Sequence, residues 1–151
     1  MTRVLKIWLP VVAWMVLIFA MSTDLGSASN TSLFVEPFLR WLFPSASHGT
    51  IQEIHFYIRK SAHLGEYAIL GVLFWRALRH TISSDARRSQ WKVAVVALLL
   101  SATYAATDEF HQSFVPSRSA SVRDVMIDTV GTFIGLCVVE AGSAIRRRTD
   151  V

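Results

Sequence analysis

A chain of 151 residues is short enough for one domain, and with 52% apolar and only 17% charged residues it lies outside the range of ordinary soluble domains. The formal charge of +4 does not imply nucleic acid, because the basic residues gather beside the ends of apolar runs and form no stripe interleaved with aromatics. The single cysteine, Cys137, excludes an internal disulfide and any Cys/His zinc spacing; inside an apolar run it reads as a small filler.

Crossing the hydrocarbon core of a bilayer takes roughly 20 mostly apolar residues in a helix. The first run of that kind covers about residues 5–21 and follows the basic residues Arg3 and Lys6. A cleaved signal peptide shares this form, with small residues at Ser27 to Ser29, but the run is read as a retained helix ending near Ser22-Thr23-Asp24. A Ser-, Asn- and Gly-rich segment then extends to Tyr57. Within it Leu33 to Phe43 is strongly apolar yet, bounded by Pro44, too short to span. Trp41 and the Phe residues suit an interfacial helix, compatible with a lid on the helix ends, and Glu36 and Arg40 are placed to pair at i,i+4.

Three further runs cover about 61–79, 91–107 and 122–141. Ten of the 15 basic residues (Arg3, Lys6, Arg76, Arg79, Arg87, Arg88, Lys92 and Arg146 to Arg148) flank one side, and Arg40, Arg59, Lys60, Arg118 and Arg123 fall on the other. The positive-inside bias therefore puts both termini and the 80–90 link in the cytoplasm. The expected fold is all-α integral membrane: a four-transmembrane-helix bundle with both termini cytoplasmic and an interfacial helix in the extracytoplasmic loop, one domain over 1–151. A faint internal echo pairs two helical hairpins: Thr23-Asp24 with Thr107-Asp108, Arg59 with Arg123, and Gly71 with Gly135. It predicts a parallel repeat about an axis along the membrane normal.

In the second run Lys60, His63, Glu66 and Tyr67 recur at three and four residues and share one face. In the fourth, Asp124 and Asp128 are i,i+4, and Gly131 and Gly135 continue the stripe as a Gly-x-x-x-Gly pair that lets a neighbouring helix approach closely. The third ends in Thr107-Asp108-Glu109-Phe110-His111-Gln112, followed by a loop in which Pro116 forbids simple helix continuation; Asp108, His111 and Gln112 share a face if the last turn persists. Alternating topology brings these three groups to one side of the membrane. Ionisable residues at membrane depth are costly, which makes them functional candidates. By chemical type, His63, Glu66, Asp108, His111 and Asp128 are the candidate catalytic residues, and Lys60, Tyr67, Glu109, Gln112, Arg118, Arg123 and Asp124 the candidate substrate-binding ones. Helix N-termini and the basic groups favour an anion such as phosphate or pyrophosphate. The alternative is a structural ion-pair network. No metal or cofactor is expected: His63-x-x-Glu66 and Asp108-x-x-His111 have the i,i+3 spacing of carboxylate-bridged metal bundles, but crowding by Lys and Arg disfavours a dication.

Three blocks, residues 59–71 (RKSAHLGEYAILG), 107–118 (TDEFHQSFVPSR) and 121–131 (SVRDVMIDTVG), resemble the VanZ-like family, named for a protein associated with teicoplanin resistance in bacteria. The similarity runs from about Leu5 to Gly135; Ser117 stands where the family more often has Gly. The resemblance implies a four-helix fold in the bacterial cytoplasmic membrane and a place in the cell envelope, without an agreed reaction. Teicoplanin carries a fatty-acyl chain and acts on peptidoglycan precursors outside the cytoplasmic membrane. The expected partner is therefore a membrane lipid or lipid-linked envelope precursor, or a lipoglycopeptide antibiotic, and not nucleic acid. An enzyme that hydrolyses or transfers at a phosphate or glycosyl bond and a non-catalytic lipid or glycopeptide binder both fit the residues. A purely structural role and a transporter are further readings.

Overall fold

The computed structural model describes residues 2–82 and 90–149. The basic link residues Arg87 and Arg88 lie outside the described residues, as do the side chains of Arg146 to Arg148. In chain order the elements are α1 (Thr2–Ser22), a single 3-10 turn (Asp24–Gly26), α2 (Ala28–Leu42), α3 (His48–Thr81), α4 (Gln90–Gln112) and α5 (Val122–Thr149). Among the described residues all regular structure is helical.

Burial differs from that of a soluble bundle in what it leaves outside. Ala97, Ser101, Ala105, Asp128 and Thr132 are fully buried, whereas Val16, Leu99 and Val138 are 60% to 68% exposed. Small and polar residues share the helix contacts with a core that includes Ile18, Tyr67, Leu70 and Phe74, while many other large apolar residues point outward, as they do on helices whose surroundings are as apolar as Leu. Three stretches are long and apolar enough to cross a membrane: Arg3–Ser22 of α1, Trp91–Gln112 of α4 and Val122–Ser143 of α5. The expected second span, within α3, falls short of that measure because it carries His63, Glu66, Arg76 and Arg79. Yet α3, like α4, is packed against each of the other three long helices.

Side-chain contacts set the directions. Trp8 Nε1 donates to Thr81 Oγ1 at 3.0 Å and Trp14 Nε1 to the Glu66 carbonyl at 2.9 Å, so α1 runs antiparallel to α3. Tyr104 OH donates to the Met15 carbonyl at 2.6 Å, and the Phe19 and His111 rings lie 4.4 Å apart, so α1 runs alongside α4 in the same direction. The C-terminal ends of α1 and α4 and the N-terminal end of α5 therefore meet at one end of the bundle, here called the polar end.

The α3–α5 pair is parallel and tightly held. A Cβ placed on Gly131 would overlap the Leu64 carbonyl, one on Gly135 would overlap the Ala68 carbonyl, and one on Gly71 would lie 2.7 Å from Thr132 Cγ2. Thr132 Oγ1 donates across the contact to the Tyr67 carbonyl at 3.2 Å. The stripe of small residues on α5 thus faces α3, letting one backbone lie on the other. The internal echo takes physical form here. Gly71 meets Thr132 while Gly135 meets Ala68, the same contact with the helices exchanged, and Lys60 pairs with Asp124 at the matching position. The other echo does not hold, since Asp24 is exposed in a turn and Asp108 is buried within α4.

Two boundaries differ from expectation. α3 begins at His48, more than three turns before residue 61, because Ser47 caps it by accepting from Thr50 N at 3.2 Å and no proline interrupts it. Its first turns bury Ile51 and His55 against α2. The last turn of α4 persists to Gln112, beyond the expected residue 107. The apolar segment 33–43 forms most of α2, but Glu36 and Arg40 do not pair; Arg40 Nη2 contacts His48 Nδ1 at 2.8 Å and Glu36 turns to a cavity. Cys137 is exposed on α5.

The closeness of α3 and α5 yields a direct test. Gly135→Ala drives a methyl group into the Ala68 carbonyl and is expected to lower thermal stability in detergent, by on the order of 1–3 kcal/mol. Gly142→Ala, with nothing within 4 Å, leaves melting unchanged or slightly raised because Ala favours helix. Equal melting of the two variants would show that the Gly stripe carries no close contact.

Candidate functional site

Four chain segments supply the polar end, and each places its side chains for a local reason. On α3, Arg59, His63 and Glu66 follow one another at four and three residues and so share a face, beside Lys60 and Tyr67 on the adjoining one. On α4, Asp108, Glu109 and Gln112 are all buried in the last turn. On α5, Asp124 and Asp128 lie one above the other at the start of the Gly stripe. Arg118 comes from the loop between α4 and α5.

The carboxylates divide by what holds them. Asp124 forms an ion pair with Lys60. Glu109 Oε2 accepts from Ser121 N at 2.7 Å, which sets a negative charge on the N-terminus of α5 and satisfies a backbone donor left open there. Asp108 Oδ2 accepts from Gln112 Nε2 at 2.9 Å, one turn on. Asp128 is fully buried and neither of its oxygens has a hydrogen-bond partner; His63 Nδ1, also without one, is 3.9 Å away, beyond hydrogen-bond length. Asp108 Oδ1, Glu109 Oε1 and Tyr67 OH are likewise buried and open. Such a concentration of unsatisfied oxygens is costly and uncommon away from sites of function.

Arg118 ties the loop to the end of α1. Its Nε donates to the Thr23 carbonyl at 3.2 Å, and its Nη2 donates to the Thr23 and Met21 carbonyls, satisfying carbonyls that a helix terminus leaves open. Gly26 is needed beside it, since a Cβ there would lie 2.7 Å from Nη2. Burial, and then repulsion from Arg59, pull the Arg118 guanidinium below its ordinary range, while Asp108, Glu109 and Glu66 oppose the shift. Arg59 is lowered by burial and raised by Asp124. Both stay charged, as Arg does in proteins.

Two cavities meet among these groups. The larger, about 430 Å³, is walled by α2 and the start of α3 and includes Glu36, His55, Arg59, Lys60, Arg118 and Asp124 in its lining. The smaller, about 80 Å³, lies against the end of α1 and reaches Glu66 and Asp108. Arg59, His63 and Arg118 line both. Among the described residues neither Arg59 nor Arg118 has a carboxylate within the 4.0 Å of an ion pair.

Of the residues singled out by sequence, the structure brings Lys60, His63, Glu66, Asp108, Gln112, Arg118 and Asp124 to the cavity walls. Tyr67, Glu109 and Asp128 are buried and line neither cavity. His111 turns toward α1, with its ring against Phe19, and Arg123 is exposed outside both linings. The His and carboxylate side chains form no group of three or more at metal-ligating geometry among the described residues.

Arg59 was not among the sequence candidates, although its spacing to His63 and Glu66 already put it on their face. His55 and Thr31 could be found only from packing. Arg59 Nη1 donates to Thr31 Oγ1 at 3.2 Å, and Thr31 Oγ1 is also 3.2 Å from His55 Nε2, which joins α2 to α3. Burial, then Arg59, hold the His55 imidazole below its ordinary range, with Glu36 opposing.

The Arg118 contacts carry a prediction of their own. Arg118→Lys keeps the charge but cannot span both carbonyls with a planar fork, and is expected to lower stability in detergent by about 1–3 kcal/mol. Thermal melting checks this; a variant that melts like the parent would show that the α1 terminus does not depend on Arg118.

No curated protein and no solved structure matches the chain. The VanZ/LLP1 family profile matches residues 7–142, a region that takes in α2, α3, α4, the Arg118 loop, most of α1 and α5, and both cavities. The chain belongs to the VanZ/LLP1 family.

Proposed function

We propose that this protein crosses the bacterial cytoplasmic membrane four times, with both termini in the cytoplasm, and that its polar end is an extracytoplasmic site for the phosphate or pyrophosphate of a lipid or lipid-linked envelope precursor. The observation that carries the reading is the pair Arg59 and Arg118, two guanidinium groups that share both cavities without a carboxylate at ion-pairing distance. Two desolvated cations so placed favour an anion between them, and a planar fork suits phosphate oxygens. The sidedness rests on the basic residues gathered beside the ends opposite the polar end. The crossing of α3 is supported by its place between the other three long helices, where neighbours shelter its charges. α2 has Leu33, Phe34, Phe38 and Trp41 exposed and Glu36 turned to the cavity, which suits a helix lying in the outer interface as a wall of the site.

Beside the anion, His63, Glu66 and Asp108 supply an imidazole and two carboxylates to the smaller cavity, the groups a general acid and base would need. Asp128, sealed from both cavities, would act through His63. The second reading, a binder for a lipid or for a lipoglycopeptide such as teicoplanin, is favoured by the same sealing, since the most deeply buried acid does not reach the space a ligand would fill.

Arg59→Gln is expected to weaken binding of a polyprenyl phosphate about tenfold or more while melting changes little. Unchanged affinity would remove the anion site. Glu66→Gln and Asp108→Asn separate the two readings: turnover lost with affinity kept supports an enzyme, and well-folded variants with full turnover would take both carboxylates out of the chemistry. Reporters fused after Ala28 or Ser117 are expected to read as extracytoplasmic, and those after Ile82 or Thr149 as cytoplasmic. A cytoplasmic signal after Ser117 would overturn the placement of the site.

A further inference from the structure

The end of the bundle opposite the polar site holds cations of its own. Trp75 is buried where α3 meets α5; its indole N–H donates to Glu140 Oε1 at 2.7 Å, and the Arg79 guanidinium lies over its ring, 4.5 Å from the centroid. Glu140 is the acid at this place, and the indole engages its carboxylate. Neither Arg76 nor Arg79 has a carboxylate within 4.0 Å among the described residues. Together with Trp75 and His80 they line a surface cavity of about 240 Å³.

Helical spacing joins this cavity to an apolar track. Ile69, Val72, Arg76 and His80 follow one another at three and four residues, so they form one stripe along α3. Ile69, Arg76 and His80 are exposed and Val72 half-buried. At 1.5 Å per residue the stripe is about 16 Å long, roughly half of a 30 Å hydrocarbon core. The stripe is apolar at Ile69 and Val72 and cationic from Arg76 onward, the order of acyl chain and headgroup in a single lipid of one leaflet.

We infer that Trp75, Arg76, Arg79 and His80 form a headgroup site for an anionic phospholipid in the leaflet opposite the polar site, with an acyl chain lying along Ile69 and Val72. The inference rests on the proposed crossing of α3. The ring contact holds Arg79 in place before any lipid arrives, so little side-chain freedom remains to be lost on binding. A zwitterionic headgroup brings its own cation toward Arg76 and Arg79, whereas phosphatidylglycerol does not.

Native mass spectrometry of the purified protein in detergent, with equimolar phosphatidylglycerol and phosphatidylcholine of matched chains, tests this. Phosphatidylglycerol is expected to be retained roughly tenfold or more over phosphatidylcholine. The preference should persist in Arg59→Gln, which weakens the polar site, and fall to near unity when the Arg76→Gln/Arg79→Gln double variant is made in that background. Equal retention of the two lipids by the parent protein overturns the site, and needs no variant to fold. An unchanged preference in that combined variant, when folded, also overturns it, as does displacement of the lipid by free glycerol phosphate at the same concentration, which would remove the acyl track. Failure of the α3 crossing shows separately, as reporters after Ala28 and Ile82 reading on the same side.

Discussion

The backbone contact between α3 and α5 is the constraint on which the rest depends. With Gly131 against the Leu64 carbonyl, Gly135 against that of Ala68, and Thr132 packed on Gly71, the two helices can neither slide nor separate without losing contact along several turns. Helices in an apolar surrounding gain little from burying more apolar surface, so association comes from close packing and interhelical hydrogen bonds. Register follows from the same contact. Lys60 reaches Asp124 at one end and Trp75 reaches Glu140 at the other because the small residues between them set the offset.

That register also buries Asp128. The residue lies one turn above the Gly stripe on the face turned to α3, and no neighbouring donor reaches either of its oxygens. The polar end thus sets carboxylate oxygens without donors near guanidiniums that have no carboxylate at ion-pairing distance, with His63 lining the same cavities. A network built only to tie helices together would pair these charges, as Lys60 and Asp124 are paired. The proposed anion site uses the groups that stay unpaired.

The two ends of α3 handle charge in different ways. At the polar end Arg59 and Lys60 face inward, toward cavities walled by α2, α5 and the Arg118 loop. At the other end Arg76 and His80 face outward, and only Arg79 is held, by an aromatic face. The difference comes from the neighbours: α2 and the loop cover the first, and nothing among the described residues covers the second in the same way.

The amino-acid sequence by itself determined the all-helical architecture, the membrane character and the residues that crowd the polar end, because apolar run length, small-residue spacing and three-and-four periodicity are local properties of the chain. It also held the family-like blocks and the helical face shared by Arg59, His63 and Glu66. Tertiary structure alone decided which candidates reach a cavity. Asp128, Glu109 and Tyr67 are sealed behind packed helices, His111 is turned onto Phe19, and Arg123 is left outside, outcomes set by helix rotation that periodicity gives only relative to the same helix. The early start of α3 has a local reason in the Ser47 cap, but the α2 wall that sets Thr31 against His55 and Arg59 likewise depended on packing between segments.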